Sequence, residues 1–490
     1  MNSSLPAALY PAATIRAVEA RVIAGGTSGL TLMQRAGLAA WSTLRRHWPQ
    51  AQRLTVVCGP GNNGGDGYVL ASAARQALRE VWLLEVGDAT RLGPDAAECR
   101  REALALGAVL GRDLDALVGR DVLVDALFGL GLNQPPTGAF LAAITAMNAA
   151  ATPILSLDVP SGLHPDTGAT PGACVAAAVT LTFVGLKQGL FTGQAAEQVG
   201  VLEFTDLDLP AAAFAEAPAL VQRLPPRPLR EWLAPRPRAS HKGHFGHVLV
   251  VGGAAGYAGA ARLAAEAALR TGAGLVSVAC DPGSANAVGA GRPEIMVHPV
   301  TSVGDLSPLL ARASVVAIGP GLGQSAWSRA LFRAVCHAGR PLVVDADALN
   351  LLAAAPLSRP DWCLTPHPAE AARLLGLAHA RDINTDRFAA ARALRARFGG
   401  ALVLKGAGSL VCDEQGIGVV MAGNPGMASG GMGDVLTGVI AALLAQGLTL
   451  AQAARCGAVL HAAAGDLAAS AGERGLLASD LLPELRRLAN

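Results

Sequence analysis

Short apolar runs, each followed by a loop and then by a longer helical pattern, recur along the whole chain. In the first half, apolar runs predict strands over residues 54–58, 81–86, 122–124 and 154–157, and helical periodicity predicts helices over residues 13–24 and 31–48. In the second half, strands are predicted over residues 248–251, 275–279, 315–318, 342–344, 363–365 and 401–404. Strands that alternate with helices in this way predict an α/β fold with mostly parallel sheets.

The length of the chain predicts more than one domain, because 490 residues exceed the usual size of a single hydrophobic core. Between residues 209 and 238, seven prolines interrupt the periodic pattern, which predicts a stiff connection between two domains. We place the boundary near residue 225 and predict domains over residues 1–222 and 223–490.

Composition and charge narrow the class of protein. A net charge of +2 provides no basic surface for nucleic acid. Only 16% of the residues are charged, but prolines, glycines and threonines interrupt the long uncharged stretches, so no membrane span is expected. The first basic residue is Arg16, which argues against a secretory signal. Eight scattered cysteines without a Cys-x-x-Cys pair predict reduced thiols and a cytoplasmic protein.

A glycine-rich loop over residues 59–67 follows the first predicted strand. It contains Asn62, Asn63 and Asp66, and an apolar helical pattern resumes at Tyr68. The loop matches neither the dinucleotide-binding fingerprint nor the Walker A motif. A strand, a glycine loop and a helix in this order open a doubly wound sheet, in which ligands bind beyond the carboxyl ends of the strands.

Two of the predicted strands end in an aspartate, Asp125 and Asp158, and a glycine-containing loop follows each one. A single aspartate in this position is as typical of a loop cap as of a catalytic group. Together with Asn62 and Asn63 at the same sheet edge, the two aspartates favour a binding site. Oxygen ligands without histidine or cysteine suit a hard cation rather than zinc.

The chemistry of the second half centres on the glycine-rich stretch 424–434, which an apolar helical pattern follows over residues 435–444. Backbone N–H groups and the positive end of a helix dipole meet at such a point, which suits a phosphate. Asp434 stands where a carboxylate could take a proton from a hydroxyl that attacks the phosphate. Aspartate is also a favoured helix N-cap, and the pattern alone leaves both roles open.

Histidines in the second half give weaker signals. His241, His244 and His247 stand at a spacing of three, but two glycines interrupt the segment and neither cysteine nor carboxylate completes a metal site. We therefore expect no metal there. His367 lies between two prolines after a predicted strand, where a ligand contact and a structural role are both open.

The first half resembles the N-terminal domain of bifunctional NAD(P)H-hydrate repair enzymes in residues 32–37, 59–67, 125–135 and 157–162. That domain has a Rossmann-like, doubly wound fold and epimerises the hydrated nicotinamide ring. The resemblance implies a potassium ion at Asn63, Asp125 and Ser161. We expect Asp158 to donate and then accept a proton as the ring hydroxyl leaves and returns. The resemblance also implies that the hydrated dinucleotide contacts Asn62, Asn63, Gly64, Gly65, Asp66, Gly129, Leu130, Gly131, Leu132, Asn133, Gln134, Pro135 and Asp158.

The second half resembles the ADP-dependent NAD(P)H-hydrate dehydratase domain in residues 243–253, 319–323, 365–370, 405–409 and 423–438. That domain has a ribokinase-like α/β fold, and the resemblance implies Mg²⁺ with ADP. Met432 stands where a small residue is expected in many such loops. The implied contacts to the hydrated cofactor are Ala260, Gly321, Gly323, His367 and Asp434, and those to the adenine nucleotide are Lys405, Gly406, Ala407, Gly408, Ser409 and Gly433.

The resemblance implies a bifunctional enzyme that epimerises the R and S hydrates of NADH and NADPH and dehydrates the S form. ADP would be consumed, giving NAD(P)H, AMP and phosphate. We expect hydrated NADH or NADPH and ADP as partners, a homo-oligomer, and neither nucleic acid nor a membrane. One alternative is a ribokinase-like small-molecule kinase with an N-terminal binding domain, which would release a stable phosphorylated product. Another is a non-enzymatic scaffold, because similar N-terminal domains occur in RNA-decapping scaffolds.

Overall fold

The computed structural model describes residues 5–111, 113–217, 219–226 and 229–490, without the side chain of residue 230. The chain divides into two compact units, Met1–Gln222 and Arg223–Asn490.

The first unit contains six helices and a parallel sheet among its described residues. The helices are α1 (Ala12–Ala24), α2 (Gly29–His47), α3 (Asn62–Gln76), α4 (Pro94–Ala105), α5 (Gly138–Ala149) and α6 (Ala195–Gln198). The strands are β1 (Ala8–Leu9), β2 (Arg53–Cys58), β3 (Glu80–Glu85), β4 (Val109–Gly111), β5 (Val122–Ala126), β6 (Ile154–Leu157), β7 (Val179–Phe183) and β8 (Val201–Thr205).

The sheet of the first unit runs in the order β4-β3-β2-β5-β6-β7-β8, and its neighbouring strands are parallel. All five residues of β5 are buried, as expected where helices cover both faces of a parallel sheet. The strand order changes direction between β2 and β5, so a crevice opens beyond their carboxyl ends.

The second unit contains the remaining elements, and β9 crosses the boundary between the units. The helices are α7 (Leu229–Trp232), α8 (Ala258–Thr271), α9 (Ala285–Gly289), α10 (Val303–Arg312), α11 (Ala326–Cys336), α12 (Ala346–Ala354), α13 (Pro368–Leu375), α14 (Ala380–Thr385), α15 (Arg387–Phe398), α16 (Met432–Ala445), α17 (Leu450–Ala468) and α18 (Leu481–Leu488). The strands are β9 (Val221–Leu224), β10 (His247–Val251), β11 (Leu275–Cys280), β12 (Ile295–Pro299), β13 (Val315–Ile318), β14 (Leu342–Val344), β15 (Trp362–Leu364), β16 (Ala401–Leu404), β17 (Leu410–Asp413) and β18 (Gly416–Val420).

The sheet of the second unit runs β18-β17-β16-β15-β14-β13-β10-β11-β12. Strands β10 to β16 pair in parallel, whereas β17 and β18 form antiparallel pairs at one side. The buried apolar core lies between this sheet and the helices that include α8, α16 and α17. The predicted α/β fold with parallel sheets is therefore confirmed.

Helix α3 begins at Asn62, six residues earlier than the sequence pattern predicts, because its glycines permit close packing rather than forming a loop. A Cβ atom on Gly64 would lie 2.1 Å from the carbonyl oxygen of Gly59. A Cβ atom on Gly67 would lie 2.7 Å from the Cβ atom of Ala126 on β5. The start of α16 is also predicted too late: the sequence pattern predicts a helix from residue 435, whereas α16 begins at Met432.

Part of the proline-rich segment 209–238 is regular structure rather than a connection. It includes β9 and α7, and Leu224 of β9 is buried and accepts a hydrogen bond from the N–H of Met421 at 3.1 Å. Pro218 and Pro228 lie outside the described residues.

Two further features bear on the class of protein. All eight cysteines are free thiols. In the described part of the chain, no helix combines the length and the apolarity needed to cross a membrane.

The close packing of α16 against α8 predicts an asymmetry between two glycines. A Cβ atom on Gly438 of α16 would lie 2.0 Å from the carbonyl oxygen of Ala264, whereas one on Gly259 of α8 would meet no atom within 4 Å. We expect Gly438→Ala to lower the free energy of unfolding by about 3 kcal/mol or more. The matched control Gly259→Ala should leave it unchanged or raise it by up to about 1 kcal/mol. Urea denaturation of the full chain measures both; equal effects would contradict the packing.

Candidate functional site

A cavity of about 350 Å³ lies in the first unit, at the carboxyl ends of its strands. It is lined by α1, α2, the first turns of α3 and the loops that follow β5, β6 and β7. Its polar side chains are those of Arg16, Glu19, Asn62, Asn63, Asp66 and Asp158. The crevice between β2 and β5 is thus the place where the predicted polar residues meet.

Asp158 follows β6 directly and forms a buried ion pair with Lys187. Its Oδ1 atom also accepts hydrogen bonds from the Thr182 hydroxyl and from the Phe183 N–H, both at 3.2 Å. Asp158 adopts a backbone φ of +66°, a conformation that is uncommon for residues other than glycine and clusters at functional sites. The structure therefore holds this carboxylate firmly at the cavity wall.

Two other carboxyl groups line the cavity with Asp158. Burial raises the pKa of Asp66 well above its ordinary value, and the negative charges of Asp158 and Glu19 raise it further, while Lys187 opposes them. Burial also raises the pKa of Glu19, partly offset by the charge of Lys187. The cavity thus combines an ion-paired carboxylate with carboxyl groups that retain a proton more readily.

Asp125 lies inside β5 and is fully buried. Its carboxylate accepts hydrogen bonds from the hydroxyls of Ser156 and Ser161 at 2.9 and 2.6 Å and from the Ser161 N–H at 2.8 Å. Burial raises the pKa of Asp125, and these hydrogen bonds oppose the increase. The Asn63 amide is oriented so that both of its polar atoms are satisfied. Its oxygen accepts a hydrogen bond from the Gly129 N–H at 3.2 Å, and its NH₂ group donates one to the Leu157 carbonyl at 3.3 Å. Asp125, Ser156 and Ser161 thus form a hydrogen-bonded cluster of oxygen atoms, and Asn63 itself lines the cavity.

The structure separates the first-half predictions into lining and packing residues. Besides the polar residues, Gly129, Leu130 and Gly131 line the cavity. Gly64 and Gly65 instead pack closely: a Cβ atom on Gly65 would lie 2.4 Å from the Met33 sulfur. Four other residues predicted to contact the dinucleotide do not line the cavity: Leu132, Asn133, Gln134 and Pro135. Sequence reasoning missed Arg16, Glu19 and Lys187, because charged residues on helix faces and in loops carry no motif.

In the second unit, the glycine-rich stretch leads into α16, whose N-cap is Gly431 with a backbone φ of +92°. Asp434 therefore lies in the first turn and not at the N-cap, which removes the capping alternative. The stretch is anchored at two points: the Gly423 N–H donates to Asp466 at 3.0 Å, and the Ser429 hydroxyl donates to the Leu476 carbonyl at 3.0 Å.

A charged network surrounds the start of α16. Lys405 Nζ lies 2.7 Å from Asp345 Oδ1, and the Thr437 hydroxyl donates to Asp345 Oδ2 at 2.9 Å. A Cβ atom on Gly433 would lie 3.1 Å from Lys405 Nζ, so the lysine is adjacent to the helix start. Burial alone would lower the pKa of Lys405, but the carboxylates of Asp345 and Glu370 outweigh it and raise the pKa. The lysine therefore keeps its charge although it is largely buried.

Asp434 has a strongly shifted pKa. Burial and the neighbouring charges of Asp345 and Asp347 raise it to about 7, against the opposing effect of Lys405. A carboxylate with a pKa near neutrality is a much better proton acceptor than an ordinary surface aspartate.

Loops from neighbouring strands bring the remaining predicted residues to the same edge of the sheet. A Cβ atom on Gly321 would lie 3.2 Å from the Cβ atom of Ala260, and the Gly323 N–H donates to Asp347 at 2.8 Å. Residues 405–409 form a turn in which the Gly406 N–H donates to the Ser409 hydroxyl at 3.2 Å.

His367 has a visible structural role. Its Nδ1 atom accepts a hydrogen bond from the Ala369 N–H at 3.1 Å and caps α13, while Nε2 lies 3.4 Å from Glu370 Oε1. About half of its side chain is exposed, so a ligand contact is compatible with the cap.

Sequence reasoning did not assign Asp345, Asp347 or Glu370. The signal was present for Asp345, which directly follows β14 as Asp158 follows β6. Of the three histidines at a spacing of three (His241, His244 and His247), His241 has a structural role. It accepts a hydrogen bond from the Gly243 N–H at 3.1 Å and caps a 3₁₀ turn over Lys242–Phe245. Among the described residues, no three His, Cys, Asp or Glu side chains are arranged to hold a metal.

These features define the class of protein as a two-unit α/β enzyme whose second unit has the parts of a phosphoryl-transfer site. A glycine-rich helix start offers N–H groups to a phosphate, a lysine adds positive charge, and a tuned carboxylate can accept a proton. Family models match both halves: YjeF-related protein N-terminus over residues 29–189 and NAD(P)H-hydrate dehydratase over residues 248–487. The chain belongs to the family of bifunctional NAD(P)H-hydrate repair enzymes, as its curated relatives show.

Identity to these relatives extends over nearly the full length. The chain is 46% identical over 485 residues to the bifunctional NAD(P)H-hydrate repair enzyme of Coxiella burnetii, covering 98% of this chain and 99% of the relative. It is 45% identical over 493 residues to that of Escherichia coli, covering 99% and 95%. A solved ribokinase-like superfamily protein from Enterococcus faecalis matches with a TM-score of 0.51 and 30% identity, over 55% of this chain and 95% of that protein. The family and fold class predicted from the sequence are confirmed.

The shifted pKa of Asp434 predicts a pH-dependent effect on stability. Folding raises this pKa to about 7, so between about pH 4 and pH 7 Asp434 loses its proton in the unfolded chain but keeps it in the folded one. The free energy of unfolding therefore falls as pH rises through this range. Asp434→Asn removes this loss. The free energy of unfolding of the variant, relative to that of the wild type, should therefore increase by roughly 2 kcal/mol from pH 5 to pH 8. Chemical denaturation at both pH values measures the difference.

Glu414→Gln, which changes an exposed carboxylate in the same unit, provides the control and should follow the wild type at both pH values. A constant difference between Asp434→Asn and the wild type would contradict the shifted pKa.

Proposed function

We propose that this chain repairs hydrated NADH and NADPH, with epimerisation in residues 1–222 and ADP-dependent dehydration in residues 223–490. The observation that carries the proposal is the half-buried Asp434, with a pKa near 7, in the first turn of a glycine-started helix beside Lys405. Membership of the repair-enzyme family and the cavity of the first unit on the same chain support it. The free thiols support a cytoplasmic location.

The dehydration begins with proton transfer. Asp434 takes the proton of the ring hydroxyl, whose oxygen attacks the terminal phosphorus of ADP; the bond to the bridging oxygen breaks and AMP leaves. The N–H groups of Gly430 to Gly433 stabilise the charge on the transferring group, each contributing roughly 3 kcal/mol. The ring nitrogen then expels phosphate with its lone pair, and loss of a ring proton restores NAD(P)H.

Other groups of the second unit position the reactants. Lys405, held by Asp345, provides positive charge to the nucleotide phosphates, and residues 406–409 lie beside it on the same turn. The residues proposed to contact the hydrated ring are Ala260, Gly321, Gly323 and His367. The Asp345 bond to Thr437 links the lysine to α16, so the charge and the helix start keep their relative position.

The second site fits Mg²⁺ brought with ADP. Carboxylates surround Lys405, and Asp347 and Glu370 would supply oxygen ligands while the nucleotide phosphates supply the others, as is usual for this ion. When bound, Mg²⁺ neutralises phosphate charge.

The first site fits a potassium ion held by Asn63, Asp125 and Ser161. Asp125 and Ser161 are hydrogen-bonded to each other and offer oxygen atoms, to which the amide oxygen of Asn63 would add another. In the described part of the chain, no basic side chain pairs with the buried Asp125 carboxylate. The ion supplies a compensating positive charge. The hydrated nicotinamide occupies the neighbouring cavity, where Asp158 faces the ring and Asn62, Asp66 and residues 129–131 bind the dinucleotide.

Product analysis tests the dehydration. Wild-type protein, incubated with mixed R and S hydrates, should restore the full dihydronicotinamide absorbance with ADP and release AMP and phosphate. Asp434→Asn should lower this rate by roughly 100-fold or more. Its R and S interconversion without ADP should match the wild type, which controls for folding. A stable phosphorylated hydrate would instead indicate a kinase, and half recovery would indicate an inactive first unit.

Cation exchange tests the potassium site. Replacing K⁺ with tetramethylammonium should slow the interconversion of R and S hydrates, because the Asp125 cluster then lacks its cation. ADP-driven dehydration of purified S hydrate should keep its rate and serves as the internal control. Equal interconversion rates in both salts would contradict the site.

A further inference from the structure

The first cavity contains three carboxyl groups and few cations to balance them. Glu19, Asp66 and Asp158 all line it. Lys187 directs its ammonium group to the Asp158 carboxylate, the Thr182 hydroxyl and the Phe183 carbonyl, the last two at 3.1 and 2.7 Å. An ammonium group has three N–H donors, so Lys187 has none left for a second carboxyl or for the substrate.

The ion pair limits the role of Asp158. A fully buried lysine, a hydroxyl and a backbone N–H all direct donors at its Oδ1 atom, and such contacts complement a negatively charged oxygen. A carboxyl group engaged in this way is suited to stabilise a cation on the substrate, and poorly suited to donate a proton to a leaving hydroxyl. The proton must then come from another group in the cavity.

Asp66 is placed for that role. Within the described residues, no donor forms a hydrogen bond with its carboxyl group, and it lines the same cavity as Asp158 from α3. The charged and titratable groups around it are Glu19 and Arg16 from α1, Asp158 and Lys187 from the loops after β6 and β7, and the thiol of Cys99 from α4, whose pKa burial raises to about 11. Arg16 donates to the carbonyl of Leu130, another residue of the cavity wall, and forms no hydrogen bond with Asp66 among the described residues.

We propose that Asp66 is the catalytic acid and base of the epimerisation, and that Asp158, held in place by Lys187, stabilises the cationic intermediate. The inference rests on the proposed function of the first unit. It also changes the role expected of Asp158 from the sequence, from proton carrier to electrostatic partner.

The step balances without any co-reactant. The bond between the ring carbon and the hydroxyl oxygen breaks, the oxygen keeps the electron pair and takes the proton of Asp66, and water departs. The ring nitrogen lone pair forms the C=N bond of an iminium ion, which faces Asp158. Water adds to the other face, the C=N electron pair returns to nitrogen, and the released proton returns to the Asp66 carboxylate, relayed by the departed water.

The test uses the full chain without ADP and follows the interconversion of purified R and S hydrates by NMR. Asp66→Asn and Asp66→Ala should lower the rate by roughly 100-fold or more. Formate, a small carboxylate that fits the space left by the side chain, should partly restore Asp66→Ala. Asp88→Asn, which changes an exposed aspartate of the same unit outside the cavity, provides the matched control and should keep the wild-type rate.

Each other outcome has a distinct meaning. If Asp66→Asn keeps the wild-type rate, or Asp88→Asn falls as far as the Asp66 variants, the inference is wrong. It is also wrong if formate leaves Asp66→Ala inactive while the hydrate still protects that variant against thermal unfolding. Failure of the wild type itself to interconvert the hydrates would overturn the proposed function instead.

Discussion

Both sites depend on main chains that approach each other more closely than any side chain would permit. A Cβ atom on Gly64 would lie 2.1 Å from a carbonyl oxygen, one on Gly319 would lie 1.8 Å from the Asp345 carbonyl oxygen, and one on Gly438 would lie 2.0 Å from that of Ala264. These contacts set helix starts and loops directly against the ends of the sheets. The polar groups of each site therefore have fixed positions before any ligand binds, which is the condition for electrostatic catalysis.

The two units, although different in fold, use the same electrostatic arrangement. In each, a lysine that is wholly or largely buried pairs with an aspartate that directly follows a strand: Lys187 with Asp158, and Lys405 with Asp345. In each, a second carboxyl group nearby has a raised pKa because it is buried and faces negative charge. The ion pair fixes one carboxyl group in place, while the raised pKa of the other lets it retain a proton more readily, which is how two carboxyl groups acquire different roles.

Much of the fold could be predicted because buried parallel strands are continuous apolar runs. The predicted strands 315–318, 342–344 and 401–404 agree with β13, β14 and β16. Helix starts were predicted too late where glycine was interpreted as a loop former rather than as a packing residue. The ion pairs could not be predicted, since their partners stand 29 and 60 residues apart and only the folded sheet brings them together.

The anchoring of the glycine-rich stretch has a consequence for the order in which the protein is made. Gly423 and Ser429 are secured by Asp466 and by the carbonyl of Leu476, residues that the ribosome adds near the end of translation. The side chains of the first cavity, by contrast, are complete once residue 207 has emerged. The residues that line the first cavity are thus all present in the nascent chain well before the contacts that secure the glycine-rich stretch, and a chain cut short before Asp466 would lack those contacts.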